Sequence, residues 1–209
     1  MEPVIENNLN DIGIYKIAGV DEVGRGAGAG YVVAAAVMLP PNHKIEGIND
    51  SKKLSAAKRE KLSLLITERA IDICITQMSP SDIDNINILN ATKACMVEAI
   101  STLKGNPEMF VIDGDMDFFG RYKISKPHII VKKGDTLSEN CAASSIIAKT
   151  YRDNYMKITA HNLYPQYGFN NHKGYLTKEH IEALYKYGPC PIHRKSFSVK
   201  GVYIKDMIK

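Results

Sequence analysis

The 209-residue chain, with 44% hydrophobic and 24% charged side chains, has an ordinary globular composition and can bury one sizeable core. Its formal net charge of +4 permits a polyanionic partner without requiring one. The four cysteines lack zinc-ligand spacing, the polar N-terminus does not resemble a signal peptide, and the longest apolar run, residues 31–39, is too short to cross a bilayer. We therefore expect a cytoplasmic protein with no membrane partner.

Two strands and a helix are predicted in the first third of the chain. Residues 16–21 (KIAGVD) and 31–39 (YVVAAAVML) form the strands, on either side of a glycine-rich turn. The second strand is apolar on both faces, as a buried strand would be. A helix is predicted from Ser55, as its N-cap, to about Ile71.

The rest of the chain continues this alternation. The predicted elements are a helical region that starts at Ser79-Pro80 and includes residues 86–100, strands at 108–114 (EMFVIDG) and 126–135 (KPHIIVKKGD), a helix at 138–159 with small residues in its first half, and a short helix from Thr177 to Gly188. Because strands come first and helices interleave later, we expect an α/β fold with a mixed sheet flanked by helices.

Acidic residues stand at the ends of three predicted strands, as Asp21-Glu22, Asp113 and Asp135. Ligands usually bind at strand ends in open α/β sheets. If the strands are neighbours, four carboxylates converge, and their mutual repulsion is relieved by a divalent cation. Hard oxygen ligands without cysteine or histidine indicate Mg²⁺ or Mn²⁺, as in phosphoryl-transfer sites.

A simpler interpretation is that each acid forms a turn or caps a helix, which is the usual role of a single aspartate after a strand. Three such segments, one with a doublet, make that interpretation weaker. Side chains of successive strand residues point to opposite faces, so Asp21 and Glu22 cannot both face one metal from a straight strand. At least one of them is therefore expected to lie in the glycine-rich turn.

Eight motifs resemble those of the ribonuclease HII family in order and spacing. They are GVDEVGRG (19–26), NDSKKLS (49–55), INILNAT (86–92), VIDGD (111–115), VKKGD (131–135), AASSIIAKTYRD (142–153), YGFNNHKGY (167–175) and PIHRKSF (191–197). The resemblance covers residues 17–197, nearly the whole chain. One such motif is weak evidence, but eight in order are highly specific.

The resemblance implies an RNase H-like fold with a small helical C-terminal part. It also implies an endonuclease that cleaves the RNA strand of RNA–DNA hybrids and incises duplex DNA at single ribonucleotides, leaving 3′-hydroxyl and 5′-phosphate ends. The family carboxylates correspond to Asp21, Glu22, Asp113 and Asp135. These residues are expected to bind two Mn²⁺ or Mg²⁺ ions for two-metal hydrolysis.

The resemblance assigns substrate contacts as well. Gly24, Arg25, Gly26 and Tyr175 are expected to read the 2′-hydroxyl, and Ser51 and Lys52 to contact a phosphate. Without the resemblance, these residues could be a tight turn, a packed tyrosine and a solvated basic patch. A second group is predicted either to extend the basic surface along the duplex or to be structural: His172, Lys173, His193 and Arg194.

The glycine-rich turn departs from the family pattern at two positions. Ala27 and Tyr31 stand where the family usually has proline. Since proline fixes φ, its absence predicts a softer loop and a less rigid 2′-hydroxyl reader, with no effect on the metal site.

Two rival functions are considered. Ribonuclease HIII resembles this core but carries an extra N-terminal domain, whereas about 16 residues precede the first predicted strand here. A hybrid-binding module without catalysis should lack one or more carboxylates, and all four are present.

The predicted organisation is an N-terminal extension (1–16), a catalytic core (17–160) and a substrate-binding C-terminal region (161–209), forming one structural unit. The tail GVYIKDMIK contains no evident clamp-binding peptide, so no protein partner is expected, and the protein is expected to be a monomer.

Overall fold

The structure is a computed structural model that describes residues 4–115 and 124–207. The first three residues of the predicted N-terminal extension and the last two of the tail lie outside this range. The strands are β1 (Ile17–Val23), β2 (Val32–Met38), β3 (Asp72–Met78), β4 (Met109–Asp113), β5 (His128–Val131), β6 (Ser198–Val199) and β7 (Val202–Tyr203). The α-helices are α1 (Val4–Asp11), α2 (Ala56–Arg69), α3 (Pro80–Ile86), α4 (Ile88–Thr102), α5 (Gly134–Leu137), α6 (Glu139–Asn154), α7 (His161–Leu163), α8 (Phe169–His172) and α9 (Lys178–Tyr187).

Five strands form one mixed sheet in the order β3-β2-β1-β4-β5. Strand β1 is central; it pairs antiparallel with β2 and parallel with β4, which pairs parallel with β5. All seven residues of β2 are buried, as its continuous apolar pattern predicted. The mixed sheet with flanking helices confirms the predicted fold class.

Helix α6 lies very close to the central strand. A Cβ atom added at Gly19 of β1 would overlap the backbone of Asn140 and Cys141 in α6. Ala142, Ala143 and other small residues in the first half of α6 are buried, and they permit this approach. The close packing that the small residues predicted is therefore present.

Local sequence signals explain several helix ends. The Ser55 hydroxyl accepts a hydrogen bond from the Lys58 amide, which caps α2 as predicted. Ser79 and Asp82 form a reciprocal capping box at the start of α3. The single helical region predicted from Ser79 is two helices, because Asn87 has a φ of 65° and interrupts the helical hydrogen bonding.

Some elements differ from the prediction or were not predicted. Strand β5 ends at Val131, before Asp135, which lies in the first turn of α5. The chain reaches α5 through Lys133, whose φ of 60° is left-handed. Elements without a predicted counterpart include α1, β3, α8 and the β6–β7 hairpin.

The chain divides into two compact units that are interleaved in sequence. The first unit comprises Met1–Val23, Val33–Thr76 and Lys93–Thr150, and the second comprises Gly24–Val32, Gln77–Thr92 and Tyr151–Lys209. The first contains the five-stranded sheet, and the second has its own apolar core around Met156, Phe169 and Leu184. The predicted boundary between residues 160 and 161 is not the division found here, and it stays a prediction.

Within residues 4–115 and 124–207, no helix combines the length and apolar character needed to cross a bilayer.

Candidate functional site

Three aspartates come together in the first unit. Asp21 lies in β1, Asp113 is the last residue of the parallel neighbour β4, and Asp135 lies in α5. Each offers a carboxylate oxygen, and these oxygens lie within 4.8 Å of one another. The Gly134 amide donates a 2.8 Å hydrogen bond to Asp113 Oδ1, which joins the start of α5 to the end of β4.

Burial and mutual repulsion make the charged forms of these aspartates costly. Burial raises the pKa of Asp21 well above its ordinary value, and the charges of Glu22 and Asp113 raise it further. Burial also raises the pKa of Asp113. The pKa of Asp135 is raised to about 6, chiefly by burial and then by the charges of Asp113 and Asp50. A divalent cation would relieve this conflict, and three hard carboxylate donors fit Mg²⁺ or Mn²⁺.

Glu22 does not belong to the group of three aspartates. Strand β1 runs without interruption through Val23, with Asp21 opposite Ala35 and Glu22 opposite Ala34 in β2. The expectation that one of the two acids lies in the turn is therefore wrong. The alternation of side chains on a strand still holds, and it explains why only Asp21 of the pair joins the group.

Lys52 lies in the electrostatic field of the aspartates. Burial acts to lower the pKa of Lys52, but attraction to Asp135, Asp21 and other nearby acids outweighs it, so the net effect is a raised pKa. Lys52 lies two residues after Asp50, whose Oδ1 accepts a 2.9 Å hydrogen bond from the Lys52 amide. Asp50 is not among the predicted site residues, although an acid directly before Ser-Lys-Lys is a typical capping signal.

Ser51 has a buried position rather than an exposed one. Its side chain is 3% exposed, and its Oγ lies 2.8 Å from Ser145 Oγ. Ser145 in turn hydrogen-bonds to Asp21, which favours the charged form of that carboxylate. Ser51 therefore connects to the aspartate cluster through Ser145, and the contact with a phosphate predicted for it stays a prediction.

In the second unit, the glycine-rich turn and Tyr175 come together. We call residues 24–31 the glycine loop. Ala27 forms an isolated β-bridge with Tyr175, and the Gly28 amide donates a 2.9 Å hydrogen bond to the Gly174 carbonyl. Gly24 has a φ of 91°, whereas a Cβ atom at Gly26 would meet no other atom within 4 Å. The backbone at Gly26 is thus open to close approach.

Two buried arginines donate hydrogen bonds to backbone carbonyls of the glycine loop. Arg194 donates from Nε to the Gly30 carbonyl and from Nη1 to the Arg25 carbonyl, both at 3.0 Å. Arg152 donates to the carbonyls of Ala29 and Tyr31. These bonds restrain the loop where the family prolines are absent, which argues against the soft loop expected from Ala27 and Tyr31. Arg152 is not among the predicted site residues.

Three residues predicted as candidates for a basic surface are buried instead: His172, His193 and Arg194. His193 Nε2 lies 2.9 Å from His180 Nε2, and His180 Nδ1 lies 2.9 Å from the Tyr175 carbonyl oxygen. Burial lowers the pKa of His193 to about 3 and that of His180 to about 4. Their structural interpretation is therefore the one supported, and Lys173 alone of the group is partly exposed.

Comparison with known proteins agrees with this geometry. The family model for ribonuclease HII matches residues 18–200. The chain belongs to the ribonuclease HII family. The ribonuclease HII of Idiomarina loihiensis is 50% identical over 183 residues, covering 87% of this chain and 95% of that protein. The family makes this protein a ribonuclease of the metal-dependent RNase H class.

Two solved structures share the fold. The ribonuclease H2 from Pyrococcus horikoshii OT3 has a TM-score of 0.72 and 27% identity, covering 87% of this chain and 93% of that chain. The RNase HII from Archaeoglobus fulgidus, in its complex with PCNA, has a TM-score of 0.73 and 25% identity, covering 91% of this chain and 99% of that chain.

Proposed function

We propose that the protein cleaves the RNA strand of RNA–DNA hybrids and incises duplex DNA at single ribonucleotides, on the 5′ side of the ribonucleotide. The products would carry 3′-hydroxyl and 5′-phosphate ends. The convergence of Asp21, Asp113 and Asp135 in a chain of this family is the observation that carries the proposal.

The three aspartates would hold divalent cations, Mn²⁺ or Mg²⁺, with two ions in the active complex. Glu22, the fourth predicted ligand, lies outside the group of three aspartates in this structure, and its part in metal binding stays a prediction. Such cations supply an activated water and charge stabilisation for the leaving 3′-oxygen. Asp21 is buried, lies on the central strand of the sheet and has Ser145 as a hydrogen-bond partner. We assign it the central place among the ligands.

Polar groups of each unit would bind and orient the substrate. Lys52, held near the aspartates, is suited to a phosphate of the scissile strand because its ammonium is a compact cation with three donors. The backbone of Gly24, Arg25 and Gly26 and the hydroxyl of Tyr175 would read the 2′-hydroxyl. That group distinguishes RNA from DNA at a given sugar, and it can both donate and accept a hydrogen bond.

The test is a cleavage assay on three labelled duplexes: an RNA–DNA hybrid, a DNA duplex with one ribonucleotide, and an all-DNA duplex. With Mn²⁺ or Mg²⁺ we expect cleavage of the first two only, and none of the three in EDTA. The variant Asp21→Asn should abolish cleavage, because it removes a ligand charge without changing the side-chain volume.

The matched control is Asp11→Asn, the same change at an exposed position of α1, which should keep full activity. Activity in Asp21→Asn at the wild-type level would contradict the assignment. A shift of the labelled hybrid in a gel without cleavage would instead identify a hybrid-binding module.

The predicted absence of a protein partner needs its own test, since the Archaeoglobus protein is seen in a complex with PCNA. We propose a monomer without a clamp partner. Size-exclusion chromatography of the chain alone and with a sliding clamp would check this, and co-elution would overturn it.

A further inference from the structure

Arg152 is a charged side chain placed in the interior of the second unit. It lies near the C-terminal end of α6 and is 0% exposed. Burial lowers the pKa of its guanidinium, which shows that the position is unfavourable for a cation. A buried charge of this kind is retained only where hydrogen bonds compensate for the lost water.

The hydrogen bonds of Arg152 go to backbone carbonyls of two separate segments. Nε donates to Tyr31 O at 2.9 Å and Nη2 donates to Ala29 O at 3.0 Å, both in the glycine loop. Nη1 donates to Lys173 O at 3.0 Å, in the turn that carries Tyr175. One guanidinium therefore fixes the glycine loop and the Tyr175 turn to each other.

Tight packing adds to these bonds. The guanidinium carbon lies 5.5 Å from the centre of the Tyr175 ring, a distance typical of cation–π contact. At Gly24, an added Cβ atom would overlap the Arg152 side chain, and at Gly30 it would lie 3.5 Å from Arg152 Nη2. Arg152 thus touches both parts of the proposed 2′-hydroxyl reader without reaching the surface.

We propose that Arg152 is a positioning residue for ribose selectivity: it sets the spacing between the glycine loop and Tyr175, so that a 2′-hydroxyl fits between them. This inference rests on the proposed function. Arg152 acts through those two segments and does not touch the substrate.

Lysine cannot replace arginine in this role. The planar guanidinium carries five donors in a rigid fork and satisfies carbonyls in three directions, whereas an ammonium on a flexible chain would satisfy fewer of them and would not stack on Tyr175. The loss of selectivity should therefore appear even when the positive charge is kept.

The experiment measures binding in EDTA, where cleavage cannot occur. Two duplexes are compared, one with a single ribonucleotide and an otherwise identical all-DNA duplex, and the ratio of their affinities gives the ribose preference. In Arg152→Lys we expect this affinity ratio to fall by about tenfold, or to fall to one if the wild-type ratio is itself below about ten. A tenfold change is the size of effect that the loss of charged hydrogen bonds produces. Affinity for the all-DNA duplex should stay unchanged.

The matched control is Arg69→Lys in the first unit. Arg69 also donates to two carbonyls, those of His43 and Lys44, so its change tests whether loss of any such arginine has the same effect. We expect Arg69→Lys to keep the wild-type preference.

A double-variant comparison separates positioning from a merely structural role. If Arg152 acts through Tyr175, Arg152→Lys combined with Tyr175→Ala should lose no more preference than Tyr175→Ala alone. The inference would be overturned if the losses of the two single variants multiplied in the double variant, or if Arg152→Lys kept the wild-type preference.

If Arg152→Lys fails to fold, as seen by circular dichroism, the test is made with Arg152→Met, because an apolar side chain leaves no buried charge without its partners. The same loss of preference is expected there, and a wild-type preference in that variant would overturn the inference. A wild-type protein that neither prefers nor cleaves the ribonucleotide duplex would refute the proposed function itself.

Discussion

At the scale of single residues, the contacts of His180 and His193 determine where their protons lie. The Cys190 amide can only donate, so His193 Nδ1 accepts its 2.9 Å hydrogen bond and Nε2 carries the hydrogen. His193 Nε2 then donates to His180 Nε2, and His180 Nδ1 donates to the Tyr175 carbonyl. Both rings are neutral in this arrangement. A proton added to either ring would go to a nitrogen that already accepts a hydrogen bond, so the new N–H group would face another N–H group.

This pair predicts a loss of stability in acid. An unfolded histidine has a pKa of about 6.5, whereas burial lowers the folded values to about 3 for His193 and about 4 for His180. Between these values the unfolded state binds more protons, so the free energy of unfolding falls as the pH falls from about 6.5 towards about 4.

The aspartates of the first unit act in the opposite direction, because their raised pKa values favour proton uptake by the folded state. The measurement is therefore a difference: urea unfolding of wild type and His193→Asn across this pH range. The carboxylate contribution cancels, and the wild type should lose more stability on acidification than the variant. Parallel pH profiles would contradict the prediction.

Site residues could be predicted from the sequence where the chemistry of the site requires a particular residue type. Asp21, Asp113 and Asp135 could be predicted because a metal site needs acids and the motifs around them are specific. Arg152 could not, because an arginine in a helical stretch is usually solvated. Its burial depends on carbonyls far along the chain, at Ala29 and Lys173, which no local pattern indicates.

At the scale of elements, the contact between α6 and β1 depends on Gly19. Replacement by alanine would place a methyl group inside the backbone of α6 at Asn140 and Cys141, neither of which can move as a side chain could. We expect Gly19→Ala to lower the free energy of unfolding by about 3 kcal/mol. Urea denaturation measures this.

Gly26→Ala is the control for that change, because the same methyl group at Gly26 would meet no atom within 4 Å. Its stability should stay within about 0.5 kcal/mol of wild type. Equal stability of the two variants would mean that α6 does not lie as close to β1 as described.

Helices and strands were predicted correctly where the apolar pattern was strong. The prediction failed where backbone geometry determined where an element begins or ends. Strand β2 and helix α2 matched their patterns. Strand β3 was missed because most of its residues are only half buried, so its apolar alternation is weak. The helix break at Asn87 and the turn at Lys133 depend on left-handed backbone conformations in residues other than glycine, which composition does not reveal.

At the scale of the whole molecule, metal binding should stabilise the fold. A ligand that binds only the folded state adds about 2.7 kcal/mol at one hundred times its Kd. Because a cation would also relieve the repulsion among Asp21, Asp113 and Asp135, we expect Mn²⁺ or Mg²⁺ to raise the melting temperature of the wild type relative to EDTA.

Asp21→Asn should show a much smaller shift, and Asp11→Asn should show the wild-type shift. Differential scanning fluorimetry provides the measurement. Equal shifts in wild type and Asp21→Asn would place the bound cation somewhere other than at these carboxylates.

The interleaving of the two units has a consequence for any attempt to divide the gene. The chain passes from one unit to the other five times, at residues 23/24, 32/33, 76/77, 92/93 and 150/151. No single cut therefore releases either unit intact, and a fragment ending at residue 150 would keep two short segments of the second unit without their long third segment. Exchange of the second unit between relatives would require transplanting three pieces together.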